Sequence, residues 1–165
     1  MRTHTTIDSP MGTLTLVATD GVLSGTYMQD HRHMPDPATF GPKVISGFEE
    51  ATEQLTQYFA GQRKTFTLRT HLTGSHFQRR IWQALTTIPY GHTVTYAELA
   101  AEIGSPEAVR AVGAANGANP IAVVVPCHRV IGADGNLTGF SGGLARKQFL
   151  LDLERPAPWR QGQLF

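Results

Sequence analysis

Val123-Val124-Val125-Pro126-Cys127-His128-Arg129-Val130 is the most informative stretch of this chain. The apolar, mostly β-branched run from Ile121 to Val125 predicts a buried strand. Pro126 fixes φ and removes a backbone donor, so the strand cannot simply continue. Cys127 is the only cysteine in the chain. A lone thiol at the end of a buried strand is either an inert core residue or a nucleophile. His128 follows it directly and can lower the thiol pKa or take its proton. Neighbouring side chains on a strand point to opposite faces. Coupling of the two therefore requires a turn at Pro126 or a bridging water.

On the N-terminal side of this stretch, Asn119-Pro120 breaks whatever helix precedes the strand. That helix is expected from Glu107 to about Asn116, with Pro106 near its start. A shorter helix, Thr95 to Ile103, comes before it, and Thr95 and Glu98 have capping-box spacing. Gly104-Ser105-Pro106 forms the turn between them, so the pair has the helix-turn-helix pattern. The second helix is rich in small residues, among them Ala108, Ala111, Gly113, Ala114 and Ala115, and Arg110 is its only cation. Such a helix either packs tightly against others or approaches a narrow surface such as a minor groove, where one arginine can enter the base stack. Further upstream, Ser75 is a candidate N-cap for a helix whose core face carries Phe77, Ile81, Trp82 and Leu85. Downstream, Gly132, Gly135, Gly139, Gly142 and Gly143 mark a loop that can approach a ligand closely. A last helix runs from Leu144 to Glu154.

The first half carries no chemistry of this kind. Thr5–Asp8 and Thr13–Thr19 alternate polar and apolar around the turn Ser9-Pro10-Met11-Gly12, a β-hairpin, and Val22–Met28 is a third strand. Three prolines make residues 31–42 an irregular connection. A helix is expected over Ser46–Phe59, stopped by Gly61, and a strand over Thr65–Leu72. His31 and His33 lack a third ligand, so a solvated loop is the expectation there and no metal is assigned. The fold class that results is α/β of the α+β kind. A small sheet and helix over residues 1–73 precede a mostly helical unit over 74–155, and 156–165 form a tail. With 41% hydrophobic and 16% charged residues the composition is that of a globular chain. A net charge of +1 excludes a strongly basic nucleic-acid binder. A single cysteine, no apolar leader and no membrane-length apolar run lead us to expect a cytoplasmic protein.

Pro126-Cys127-His128-Arg129-Val130 resembles the active-site signature of the O6-alkylguanine-DNA alkyltransferases, the methylated-DNA–protein-cysteine methyltransferases. Tyr96, Arg110-Ala111-Val112-Gly113, Asn119-Pro120 and Ser141-Gly142-Gly143-Leu144 occur in that family's order and spacing, so the resemblance covers residues 76–155. It implies that Cys127 accepts the alkyl group, that His128 activates it through a water, and that Glu154 orients and charges His128. Asn119 would support the active-site turn, and Arg110 would enter the stack in place of the flipped nucleotide beside Ala111, Gly113 and Ala114. Tyr96 would lie by the phosphate and donate a proton to the leaving guanine. Val130 would offer a carbonyl, Ser141 donors, Phe140 and Gly142 pocket wall, and Lys147 support for the pocket loop. The position before Ser141 is commonly Tyr in the family, and Phe140 lacks that hydroxyl. Some relatives hold a zinc in the first domain with cysteine and histidine ligands; no cysteine stands there, and none is expected.

The implied partner is double-stranded DNA carrying O6-alkylguanine, and also O4-alkylthymine, met through the minor groove by a monomer without cofactor, metal or membrane. A thioether on cysteine cannot be hydrolysed mildly, which implies one transfer per molecule. Two other readings stay open on the thiol, histidine and acid alone. One is a lesion sensor or DNA-binding regulator without transfer. The other is a cysteine hydrolase with a Cys-His-Glu triad.

Overall fold

The computed structural model describes residues 1–32 and 34–155; His33 and the expected tail, 156–165, lie outside the described residues. The chain is a mixed α/β fold. Strands β1 (Arg2–Ile7), β2 (Leu14–Thr19) and β3 (Val22–Met28) form an antiparallel sheet in the order β1-β2-β3. The hairpin turn is where the sequence puts it, with the Gly12 N–H donating to Ser9 O at 2.9 Å. Helix α1 (Glu49–Phe59) starts three residues later than expected and ends at Gly61, whose φ of +75° suits glycine. The expected strand Thr65–Leu72 is corrected to an irregular segment with one bridge, Leu23 to Thr70. Among the described residues it meets β3 at that one bridge and has no second ladder partner, so alternation alone does not make a strand.

Four further helices follow: α2 (His76–Leu85), α3 (Tyr96–Glu102), α4 (Val109–Gly117) and α5 (Leu144–Leu153). Ser75 caps α2 and forms a full capping box with Gln78. Thr95 and Glu98 do the same for α3. Two short parallel strands absent from the sequence reading, β4 (Val94–Thr95) and β5 (Val130–Ile131), lock the start of α3 to the segment just after Cys127.

The largest correction concerns Ile121–Val125, which is a turn and not a strand. Val123 adopts φ +74°, a left-handed conformation costly for a β-branched residue, and Ala122 and Val125 form a bridge across the turn. Val123 is 1% exposed, so its enclosure in the core holds the strained conformation. The run is apolar because four of its five residues are buried, which periodicity alone cannot distinguish from a strand.

One continuous core joins both halves of the chain. It contains Leu14, Leu16, Leu55 and Tyr58 from the first half, and Ile81, Trp82, Leu99, Val112, Ile121 and Leu150 from the second. Trp82 Nε1 donates to Ala115 O at 2.8 Å and pins α2 to α4. Arg146 of α5 donates from Nε to Met11 O at 3.2 Å, and Thr26 N–H to Pro120 O at 2.9 Å. These bonds tie α5 to the first hairpin and β3 to the segment that leads into Cys127.

Candidate active site

Pro126, with φ −83° and ψ 65°, makes a tight three-residue turn, and the Cys127 N–H closes it onto Val125 O at 2.8 Å. Cys127, His128 and Arg129 then form a single 3₁₀ turn. Asn119 holds this arrangement from behind. Its Nδ2 donates to Val125 O at 2.7 Å and its Oδ1 accepts from Ile121 N–H at 3.0 Å. Asn116 Nδ2 donates to Cys127 O at 3.3 Å.

His128 is fully buried, and its Nε2 lies 2.8 Å from Glu154 Oε2. Its Nδ1 has no hydrogen-bond partner among the described residues, so no direct hydrogen bond joins it to the Cys127 sulfur. Glu154, the C-cap of α5, is 2% exposed. Arg129 donates to it from Nε to Oε1 at 2.8 Å and from Nη2 to Oε2 at 2.9 Å, and from Nη1 to Ile88 O at 2.6 Å. Tyr58 adds a fourth donor, its hydroxyl 2.6 Å from Oε2. Burial alone would raise the Glu154 pKa. The hydrogen bonds from His128 and Arg129, with the Arg129 charge, outweigh it and hold the carboxyl well below the usual range. A carboxylate can only accept, so Nε2 of His128 carries the proton that it donates.

Burial also pushes His128 below its ordinary value, and Arg129 and Lys147 reinforce this against the pull of Glu154. The imidazole therefore rests neutral, with a lone pair on Nδ1. The Cys127 thiol is likewise pushed up by burial, to about 11, with Asn119 and Lys147 only partly opposing. His128 does not lower it, contrary to one option left by the sequence: the resting site holds a protonated thiol beside a neutral base.

Linkage fixes how stability varies with pH. The unfolded chain protonates His128 below about pH 6.5, while the folded chain resists. Stability is therefore fully present above that value and declines as pH falls, and the depressed Glu154 adds its own loss below about pH 4.3. The thermal midpoint should fall steadily from pH 7 to pH 4; a constant midpoint would contradict the buried neutral imidazole.

The glycine-rich loop closes the other side. Lys147 is fully buried and donates from Nζ to Val130 O at 2.6 Å and Thr138 O at 2.7 Å. Burial pushes its pKa down to about 8. Tyr96 donates its hydroxyl to Thr138 O at 2.8 Å, and burial raises its pKa. Ser141 donates its hydroxyl to Gly117 O, and its own carbonyl accepts from Arg32 N–H at 2.7 Å. Phe140 is buried, and a Cβ on Gly142 would lie 2.8 Å from its ring and collide with Met28 Sδ, so only glycine fits there. Cys127, His128, Glu154, Asn119, Lys147 and Val130 are thus brought together in one buried cluster. Arg110, Ala111 and Ala114 stand apart on the exposed face of α4, whose other face buries Val112, Ala115 and Asn116. Gly113 turns toward the Tyr96 ring, which lies 3.8 Å from where its Cβ would stand.

Sequence reasoning passes over Arg129 and Tyr58. Arg129 stands inside the Pro126–Val130 signature, and an arginine in so apolar a stretch signals a buried partner. Tyr58 carries no signal beyond its place on the apolar face of a helix. Among the described residues no group of three or more His, Cys, Asp or Glu is placed to hold a metal, and no helix is long and apolar enough to cross a membrane.

Comparison with known proteins agrees across both halves of the chain. The family model for the 6-O-methylguanine DNA methyltransferase DNA binding domain matches residues 76–156. The model for the ribonuclease-like domain of the same family matches residues 3–72. The methylated-DNA–protein-cysteine methyltransferase of Mycolicibacterium paratuberculosis is 55% identical over 154 residues, covering 92% of each chain. The constitutive enzyme of that name from Bacillus subtilis is 42% identical over 159 residues, covering 94% of this chain and 96% of its own. The crystal structure of Mycobacterium tuberculosis OGT in complex with DNA superposes with a TM-score of 0.87 at 50% identity, covering 92% of both chains. On its sequence, its fold and the extent of both matches, the chain belongs to the 6-O-methylguanine DNA methyltransferase family.

Proposed function

We propose that the protein repairs alkylated DNA by moving the alkyl group of O6-alkylguanine, and of O4-alkylthymine, irreversibly onto Cys127. The observation that carries this reading is the buried Cys127 thiol beside a neutral His128 whose Nε2 is committed to Glu154 and whose Nδ1 is not committed. Relatives half identical to this chain are named methylated-DNA–protein-cysteine methyltransferases, which supports transfer over a sensor or a hydrolase.

The lesion is inside a duplex, so the base must be extruded at a cost of a few kcal/mol. Arg110 enters the vacated stack while Ala111, Gly113 and Ala114 let α4 approach the minor groove closely. His128 Nδ1 takes the Cys127 proton through a water. The thiolate forms the S–C bond in line as the C–O6 bond breaks. The electron pair goes to the guanine, which gains a proton from the Tyr96 hydroxyl. Val130, Phe140, Ser141 and Gly142 line the base pocket, Lys147 holds its loop, and Asn119 holds the turn. Residues 74–155 meet the DNA and perform the transfer, and residues 1–73 back the site. A thiol that must stay reduced until used suits the cytoplasm, and the single-use chemistry suits a monomer acting once.

The direct test is the intact mass of the protein after incubation with a duplex bearing one O6-methylguanine. One methyl per molecule, mapped to Cys127, is expected; several turnovers or label on another residue would overturn the reading. The Arg110→Ala protein should repair duplex lesions at least tenfold more slowly and react normally with free O6-benzylguanine, read by single-turnover rates. Equal losses on both substrates would refute the role in base extrusion.

A further inference from the structure

Nothing in the proposed transfer gives the first half of the chain a part in the chemistry. One contact does. Tyr58, on α1, is fully buried, and its hydroxyl donates to Glu154 Oε2 at 2.6 Å across 96 residues of sequence. The same oxygen takes the His128 Nε2 hydrogen bond at 2.8 Å and that of Arg129 Nη2 at 2.9 Å. Oε1 takes Arg129 Nε at 2.8 Å and the Gly91 N–H at 3.4 Å. Three donors therefore share one carboxylate oxygen, and two of them, Tyr58 and His128, are uncharged. We propose that Tyr58 is a positioning residue for alkyl transfer, its hydroxyl competing with His128 for Glu154 Oε2 and so setting how tightly the carboxylate grips the imidazole.

Donors on one carboxylate oxygen share its charge. Each donor on a carboxylate oxygen withdraws some of the negative density that the others feel. With Tyr58 and Arg129 both engaged, Glu154 orients His128 without stabilising its protonated form strongly. Removing the hydroxyl leaves more charge on Oε2 for His128, which favours the imidazolium. An imidazolium cannot accept the Cys127 proton. Tyr58 thereby keeps the base available at lower pH than Glu154 alone would allow. The other groups facing the pair are Arg129 and Lys147, both cationic, the Cys127 thiol, and Tyr90, whose ring lies 5.8 Å from the Arg129 guanidinium. All of these remain when Tyr58 loses its oxygen.

Geometry makes the hydroxyl separable from the ring. The Tyr58 ring packs against Phe59, Phe66 and Tyr90, with centroids 5.4, 5.3 and 6.3 Å away. A Tyr58→Phe substitution keeps these contacts and deletes only the bond to Glu154. Transfer needs neutral His128, so its rate falls on the acid side of the His128 pKa, and raising that pKa moves the acid limb to higher pH.

The proposal rests on His128 acting as the base, and the experiment separates the two. Single-turnover methyl transfer from an O6-methylguanine duplex is followed across pH for the intact wild-type protein and for Tyr58→Phe, with the His128 ring nitrogens titrated by NMR. The expected result is an acid limb displaced upward by about half a pH unit, about threefold in rate below the limb, with rates unchanged on the alkaline plateau. The His128 titration should move with it. Phe66→Leu, which loosens the same aromatic cluster without touching Glu154, should lower the thermal midpoint and leave the limb in place. If Tyr58→Phe does not fold, 3-fluorotyrosine at position 58, a stronger donor of the same shape, should move the limb the other way. A limb that stays fixed in Tyr58→Phe or the fluorotyrosine protein, or moves equally in Phe66→Leu, overturns the proposal and leaves the His128 reading intact. A wild-type profile with no acid limb following His128 overturns both.

Discussion

A Cys127→Ser protein should transfer no alkyl group and still bind lesion-bearing duplex within about twofold of wild type, a difference well under 1 kcal/mol. The reason lies in how the nucleophile is made. Burial leaves the thiol with a pKa of about 11. At pH 7 only about one molecule in ten thousand then holds a resting thiolate. The reaction consequently depends on removing the proton when substrate is present. On the proposed mechanism neutral His128 takes that proton, and the nearby Lys147 charge favours the anion. A serine hydroxyl is a far weaker acid than a thiol, and the same base cannot raise a useful amount of alkoxide. The oxygen is smaller than sulfur and leaves the surrounding turn undisturbed, so binding persists. Intact mass after prolonged incubation, together with a binding titration on the same duplex, checks both halves. Methyl transfer to the substituted hydroxyl at any appreciable rate would count against an activated thiol as the source of specificity.

Glu154→Ala should be the most destabilising substitution in the site. It removes the acceptor of Tyr58, of His128 and of two Arg129 donors at once. Arg129 would be left buried with Ile88 O as its remaining side-chain hydrogen-bond acceptor among the described residues. Breaking a buried ion pair by deleting one partner costs about 3–5 kcal/mol, a large share of the roughly 5–15 kcal/mol that holds a domain together. For a chain of this size the thermal midpoint should drop by about 10 °C or more. Glu154→Gln, which keeps one acceptor oxygen, should lose less. Pairing Glu154→Leu with Arg129→Met should recover much of the stability and none of the activity, because an apolar pair removes the stranded charge without restoring the hold on His128. A double variant no more stable than Glu154→Ala would show that the ion pair is not the source of the loss.

Local chemistry in this chain is written locally. The hairpin turn at Ser9–Gly12, the stop at Gly61, and the caps Ser75 and Thr95 each depend on residues within four positions of one another, and each is found where the sequence puts it. The long-range features are not readable in the same way. Val123 reads as strand because it is β-branched and apolar, yet it sits in a left-handed turn. Its conformation is set by enclosure from several elements, which no window of sequence contains. Thr65–Leu72 alternates like a strand but meets one bridging partner among the described residues. The two-residue pair β4–β5 is too short to leave a pattern.

The same division runs through the site. That Cys127 and His128 stand together after a proline, that Glu154 closes a final helix, and which family the motifs resemble are all legible in the chain alone. Covalent adjacency and local turn preference carry that information. The role of Glu154 as a shared acceptor, with Arg129 and Tyr58 bound to it and His128 left neutral, emerges only on folding. Those groups are 25, 96 and 26 residues away from it in sequence. Their protonation states depend on burial and on charges that meet only when both halves close around one core, so the chemical readiness of the thiol is a property of the folded chain.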